Sequence, residues 1–196
     1  MNNNNKTTKQ ISLDDLFRLA ESFAKESLSK NGGFNPHLFI YSPEGISIVT
    51  VNDASTDEKK EYFADLAQLT CIAVGAEASV LVANAWFRMA PAGTTDLSRK
   101  ATEHLERTSI VYLLGETYAV KKCKRIPIIC SENGNFFGLG DAKIDNLLRS
   151  EGRFGSFLPK EVPSAEMRKM AKSMLKAKEI KIQQVKSPSH PMFHMN

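Results

Sequence analysis

Glu77 to Ala90 reads E-A-S-V-L-V-A-N-A-W-F-R-M-A and holds the chain's one tryptophan, Trp86. Val80, Leu81 and Val82 stand too close together for the apolar stripe of a half-exposed helix, and Pro91 with Gly93 ends the run. Consecutive branched apolar residues bounded by breakers predict a central β-strand buried on both faces, or nearly so. Whether Asn84 and Arg88 face the core depends on the register of that strand.

Upstream, Leu13 to Lys30 carries Leu13, Leu16, Phe17, Ala20, Phe23, Ala24 and Leu28 at three- and four-residue spacing, which predicts an amphipathic helix. Ser12 is its expected cap, with Asp15 at the third position, and Asn31-Gly32-Gly33 its end. His37–Tyr41 and Ile46–Val51 are β-rich runs around S-P-E-G, the composition of a tight hairpin. Ser55 followed by Glu58 reads as a capping box that opens a second helix to Val74, closed by Gly75.

Downstream of the strand, 91–107 is polar, with helical turns expected at Leu97–Leu105. Three strand-like runs follow, Thr108–Leu114, Tyr118–Cys130 and Asn135–Leu139. Gly115-Glu116-Thr117 and Asn133-Gly134 are expected as the turns between them. Asp141–Arg149 reads as a short helix, and Gly152–Leu158 as irregular. Pro163 and Ser164 open a last helix whose first turn holds Glu166; Pro188 and Pro191 keep the end of the chain out of any helix.

Short links between strands favour antiparallel pairing. The expectation is an α+β fold: an antiparallel sheet of five or six strands (hairpin, central strand, meander), two helices packed on one face, and a C-terminal basic amphipathic helix. In domain terms this gives a disordered lead-in (1–10), one α+β domain (11–158), a basic helical arm (159–186) and a flexible tail (187–196).

The net charge of +4 is unevenly placed. Residues 160–186 carry eight Lys or Arg against three Glu, so the positive charge belongs to the arm and the rest of the chain is slightly acidic. Three cysteines, Cys71, Cys123 and Cys130, are too few and of the wrong parity for a disulfide scaffold. The first ten residues lack a signal-peptide core, and no apolar run approaches the ~20 residues that span a bilayer. A cytoplasmic protein without a membrane span is expected.

No cofactor or metal motif survives a spacing check. Glu103-His104-Leu105-Glu106 contains the H-x-E of zinc deaminases, but P-I-I-C at 127–130 supplies one cysteine where P-C-x-x-C needs two. His104 as a lone general base, or with Glu103 or Glu106 beside it, remains the one acid–base candidate, against the simpler reading of a solvated loop. His190 and His194 have helical ligand spacing that Pro191 spoils. Gly134, Gly138 and Gly140 match neither a Walker loop nor a dinucleotide fingerprint.

Two basic stretches stand out. Lys121, Lys122, Lys124 and Arg125 lie on a predicted strand; their charges suit an edge strand that blocks unwanted pairing, or phosphate contacts beside stacking aromatics. In the last helix Met167, Met170, Ala171, Met174 and Leu175 form an apolar stripe flanked by Arg168, Lys169, Lys172, Lys176 and Lys178. Such a helix packs on its own domain or docks on a partner, and methionine suits an exchangeable interface.

The leading functional expectation is a non-enzymatic interaction protein. It would use Met167, Met170, Met174, Leu175, Arg168 and Lys172 for self-association or for docking a protein partner. A weakly specific nucleic-acid binder using Lys121–Arg125 and the arm is the second. An enzyme or small-ligand receptor with Asn84, Arg88, His104 and Glu106 between the sheet and loop 91–107 is the third.

Overall fold

The computed structural model describes residues 11–87, 107–147 and 154–178, and the backbone of 183–185. Chain order is α1 (Leu13–Asn31), β1 (His37–Ser42), β2 (Gly45–Thr50), α2 (Asp57–Val74), β3 (Ala78–Phe87), β4 (Thr108–Thr117), β5 (Lys121–Cys130), β6 (Phe136–Leu139), β7 (Lys143–Asn146), α3 (Ala165–Ala177) and β8 (Gln183–Val185). The α+β class is as expected. The lead-in, most of loop 91–107 and the tail lie outside the described residues.

Local chemistry sets the helix starts. Ser12 Oγ accepts from Asp15 N at 3.1 Å while the Asp15 carboxylate accepts from Ser12 N at 3.0 Å, a reciprocal box that satisfies two exposed donors of α1. The hydroxyl's hydrogen bond holds the Asp15 carboxyl below its ordinary pKa. The cap of α2 is Thr56, not Ser55: its Oγ1 accepts from Lys59 N at 3.3 Å, while Ser55 N donates to the Asp53 side chain at 2.7 Å.

All strand pairs are antiparallel, in the order β6-β5-β4-β3-β1-β2-β8, with β7 also on β5. The sheet has eight strands where five or six were expected. One extra strand is β7, which replaces the short helix predicted at Asp141–Arg149. It pairs Lys143–Asn146 with Arg125–Lys122, satisfying backbone groups that β6, confined to Ile128–Cys130, leaves open. The other is β8, which pairs Gln183–Val185 with Ile48–Ile46 on the edge of β2.

The helices do not share a face. Leu38, Ile40, Leu81 and Leu114 point into a core shared with Phe63, Leu66, Ala67 and Cys71 of α2. Phe39, Val80, Val82, Val111 and Leu113 point oppositely, into a core shared with Leu16, Phe17, Ala20 and Ala24 of α1. Successive side chains alternate across a strand, so β1, β3 and β4 feed both layers. This is why Val80, Leu81 and Val82 are apolar without a break. Each such fully buried side chain stabilises the fold by about 1.5–3 kcal/mol.

The double burial covers only the first half of β3. From Ala83 to Phe87 burial gives way to alternation, and Trp86 is exposed beneath the Arg107 guanidinium, 4.3 Å from its ring centre. Gly115 lies inside β4, not in a turn; the turn is 118–120. A Cβ at Gly115 would stand 2.4 Å from Phe17 Cζ, so the close seat of α1 on β4 requires glycine there.

The last helix lies along α2 in the opposite direction. Its Arg168 lies against Gly75, the left-handed cap of α2 at φ 65°, and its Met174 and Lys178 lie near Tyr62 and Asp65. Ala171 and Leu175 are buried in the α2 core.

Candidate functional site

A helix turns about 100° per residue, so the buried pair Ala171–Leu175 fixes where every other side chain of α3 points. Met167, Met170 and Met174 fall on one flank of that line, and Arg168, Lys172, Lys169 and Lys176 on the other. The methionine flank is open, with Met167 and Met174 46% and Met170 63% exposed. Beside Met174 a groove of about 310 Å³ runs between α3 and α2. Leu66, Leu69 and Ile72 line it, Tyr62 and Met174 form its lips, and Asp65, Gln68 and Lys178 complete the wall.

The basic flank sorts into two groups. Arg168 sits at the C-terminus of α2, whose own last turn contains no basic residue, and supplies the cation that end of a helix favours. Lys172 reaches Glu44 in the β1–β2 turn at 3.7 Å. Lys169, Lys176 and Lys178 have no carboxylate partner among the described residues. The six residues expected to bind a partner therefore divide. The three methionines are open and Leu175, 2% exposed, is core. Arg168 and Lys172 already serve the chain's own packing.

The second basic stretch is placed otherwise than its edge-strand reading required. β5 has β4 on one side and β6 with β7 on the other. Each of its four cations meets a carboxylate: Lys121 with Glu116 at 3.3 Å, Lys122 with Asp14 at 3.7 Å, Lys124 with Glu21 at 2.5 Å, and Arg125 with Asp145. Alternation sends Lys122 and Lys124 to the acidic side of α1, and Lys121 and Arg125 to the opposite face. Arg125 also lies over the Phe87 ring at 4.9 Å.

Glu116 is the group that reading the sequence missed. It is 2% exposed, and its Oε1 accepts from Phe157 N at 2.5 Å and Leu158 N at 2.9 Å. Its Oε2 accepts from Ser156 Oγ at 2.7 Å, and Ser79 Oγ donates to Oε1 at 3.3 Å. Lys121 Nζ completes the set and also donates to Gly155 O at 2.6 Å. A carboxylate so supplied with donors ties 155–158 to the sheet and leaves little capacity for a substrate. Beside it, burial and then the Glu116 charge push the Cys71 thiol well above its usual pKa, the reverse of an activated nucleophile. Burial also raises the Tyr112 and Tyr118 hydroxyls and the Cys123 thiol.

No known protein family, curated protein or solved structure matches this chain.

Of the proposed enzyme or receptor site, Arg88, His104 and Glu106 lie outside the described residues, as do Glu103, His190 and His194. Asn84 is exposed, and its Oδ1 accepts from Ser109 Oγ at 3.4 Å. Gly134 closes a hairpin turn, with its N–H donating to Ser131 O at 2.8 Å. Among the described residues no three His, Cys, Asp or Glu side chains gather to hold a metal, and no helix is long and apolar enough to cross a membrane.

Proposed function

We propose that this chain is a non-enzymatic, cytoplasmic interaction protein, and that the methionine flank of α3 with the adjoining α2 groove is its docking face. One observation carries the reading: three consecutive stripe methionines remain about half exposed or more, although the same helix buries Ala171 and Leu175 in the core. Packing on the domain accounts for only part of the apolar surface of α3. The remainder flanks a concave surface lined by apolar side chains, of the kind that accepts a helix or an extended segment. Methionine adapts its shape to such partners at little rotameric cost. Three free cysteines, two of them buried, suit a reducing compartment. Nucleic-acid binding through Lys121–Arg125 has less support, because those cations are already engaged by carboxylates and phosphate would have to displace them.

The test is a photo-crosslinking amino acid placed at Met170, with a control at exposed Lys25 on α1. Discrete adducts from position 170, absent from 25 and lost on adding Met174→Asp, are expected. Equal, diffuse labelling from both positions would remove the docking face. An adduct of twice the chain mass would identify self-association.

A further inference from the structure

We infer that the basic flank of α3 is a binding site for a compact ligand bearing several closely spaced phosphate groups. The site lies on the side of the helix away from the methionines and does not depend on the docking reading above.

The flank forms an exposed depression of about 410 Å³, lined by Ala165, Arg168, Lys169, Lys172, Ser173 and Lys176. Four of these six side chains are cations and none is an anion. Arg168, Lys172 and Lys176 follow one another at four-residue steps with Lys169 beside them, so four positive charges share an arc of about 100° and about 12 Å of helix axis. Residues three and four apart on a helix are neighbours, and like charges there oppose each other. Little in the chain offsets that repulsion. Glu44 meets Lys172 at 3.7 Å, but both side chains are more than half exposed, where an ion pair is weak. The Ser173 hydroxyl donates to Lys169 O at 3.1 Å, so its proton is spent and the cations must supply the recognition.

A phosphate group brings close to two negative charges and three acceptor oxygens, more than a carboxylate offers in the same space. Lysine binds such groups as a point charge without needing a fixed fork of donors. A ligand with adjacent phosphates would neutralise the whole row at once, and a depression of this volume is of small-molecule size. Larger anions fit less well. No aromatic ring or amide lines the depression to hold a base, and outside 160–186 the chain is slightly acidic, so a nucleic-acid strand running past α3 would find no further cationic track. An acidic peptide would find no apolar side chain beyond Ala165. Lys172 turns sideways toward the β1–β2 turn, so a flat anionic membrane that reached it would press on Glu44.

The experiment is isothermal titration calorimetry of the full chain with inorganic triphosphate, ATP and inositol hexakisphosphate. Sulfate, a single-stranded thymidine oligonucleotide and phosphatidylserine vesicles run in parallel. The phosphate compounds should bind, raise the melting temperature and lose affinity as salt rises, while sulfate does none of these. Lys169→Ala, Lys172→Ala and Lys176→Ala should each weaken binding about 1.5- to 5-fold, the range of exposed ion pairs. Lys178→Ala removes the same charge from the other flank and should weaken it less than any of the three. Met170→Ala should leave it unchanged, so that this site and the docking face stand or fall separately. Circular dichroism checks each fold. If Lys172→Ala disturbs the β1–β2 turn, Lys176→Ala decides, since Lys176 has no carboxylate partner among the described residues.

The preferred compound identifies the source: triphosphate a phosphate chain, ATP a nucleotide, the hexakisphosphate a phosphorylated ring. Failure of all three to bind, or sulfate binding as tightly, would overturn the inference. So would equal losses from Lys178→Ala and the flank variants, which would reduce binding to net charge alone. An oligonucleotide or vesicles bound far more tightly, with the same dependence on the three lysines, would assign the flank to nucleic acid or to a membrane instead.

Discussion

Lys121–Arg125 in β5 and Arg168–Lys178 in α3 are the two densest basic stretches of the chain, and as sequence they invite the same interpretation. Their surroundings differ. In β5 all four cations meet carboxylates, from β4, α1 and β7, and Lys121 and Lys124 are only 20% and 18% exposed. In α3, three lysines have no carboxylate partner among the described residues, and the helix that bears them is buried along one line only. A run of basic residues is thus not one kind of feature. Where alternation sends successive cations to opposite faces of a covered sheet, each must find a counter-charge or lose its hydration uncompensated. On a helix flank above solvent no such requirement exists, and the charge stays available.

That contrast fails first if Glu116 can be removed without harm. Glu116→Ala would remove the carboxylate beside Lys121 and leave the N–H groups of Phe157 and Leu158 without their acceptor. The expected cost is about 3–5 kcal/mol, the range for breaking a buried pair from one side. Urea unfolding followed by circular dichroism measures it, with an unchanged denaturant slope showing that the unfolded reference is the same. A cost under ~1 kcal/mol would mean that Glu116 does not hold the 155–158 segment, and would return it to the list of reactive groups. The next effect is smaller. Glu21→Gln keeps the shape of the partner of Lys124 and removes its charge, with an expected loss of about 1–2 kcal/mol for a charged hydrogen bond between side chains 18% and 25% exposed. No loss would place Lys124 with the free cations of α3 and blur the distinction.

What could be read in the sequence follows the range of the forces concerned. The start of α1 was legible because Ser12 and Asp15 are three residues apart and cap each other. The Asn133-Gly134 turn was legible because its hydrogen bonds stay within Ser131–Asn135. The shift from Ser55 to Thr56 at the start of α2 was beyond reach, since both residues carry the same capping chemistry. Which face each helix covers was also hidden. Leu38 and Phe39 are equally apolar, and only assembly with β3 and β4 decides which meets α1. Glu116 looked like a turn residue because four of its donors come from Ser79, Ser156, Phe157 and Leu158, 37 or more positions away. At the candidate site, the α3 stripe was legible by periodicity, but periodicity does not separate its core line from its lip. Leu175 therefore joined the methionines as a contact residue although it is core.

The smallest expected effect is the most discriminating. Lys169→Ala with Lys176→Ala should change stability by no more than ~0.5 kcal/mol, as for surface positions without buried partners. Opposing contributions of similar size make the sum small. Alanine is a slightly better helix former, and removing Lys176 relieves its repulsion from Lys172 four residues earlier, worth about 0.2–0.5 kcal/mol. Against that, a cation in the last turn of α3 favours the helix dipole by about 0.3–1 kcal/mol. Thermal and urea unfolding should therefore coincide with the unaltered chain. A loss above ~1 kcal/mol would instead show that these lysines hold α3 to its own domain, as the β5 cations hold theirs. The two basic stretches would then be one case, each holding its element to the rest of the domain.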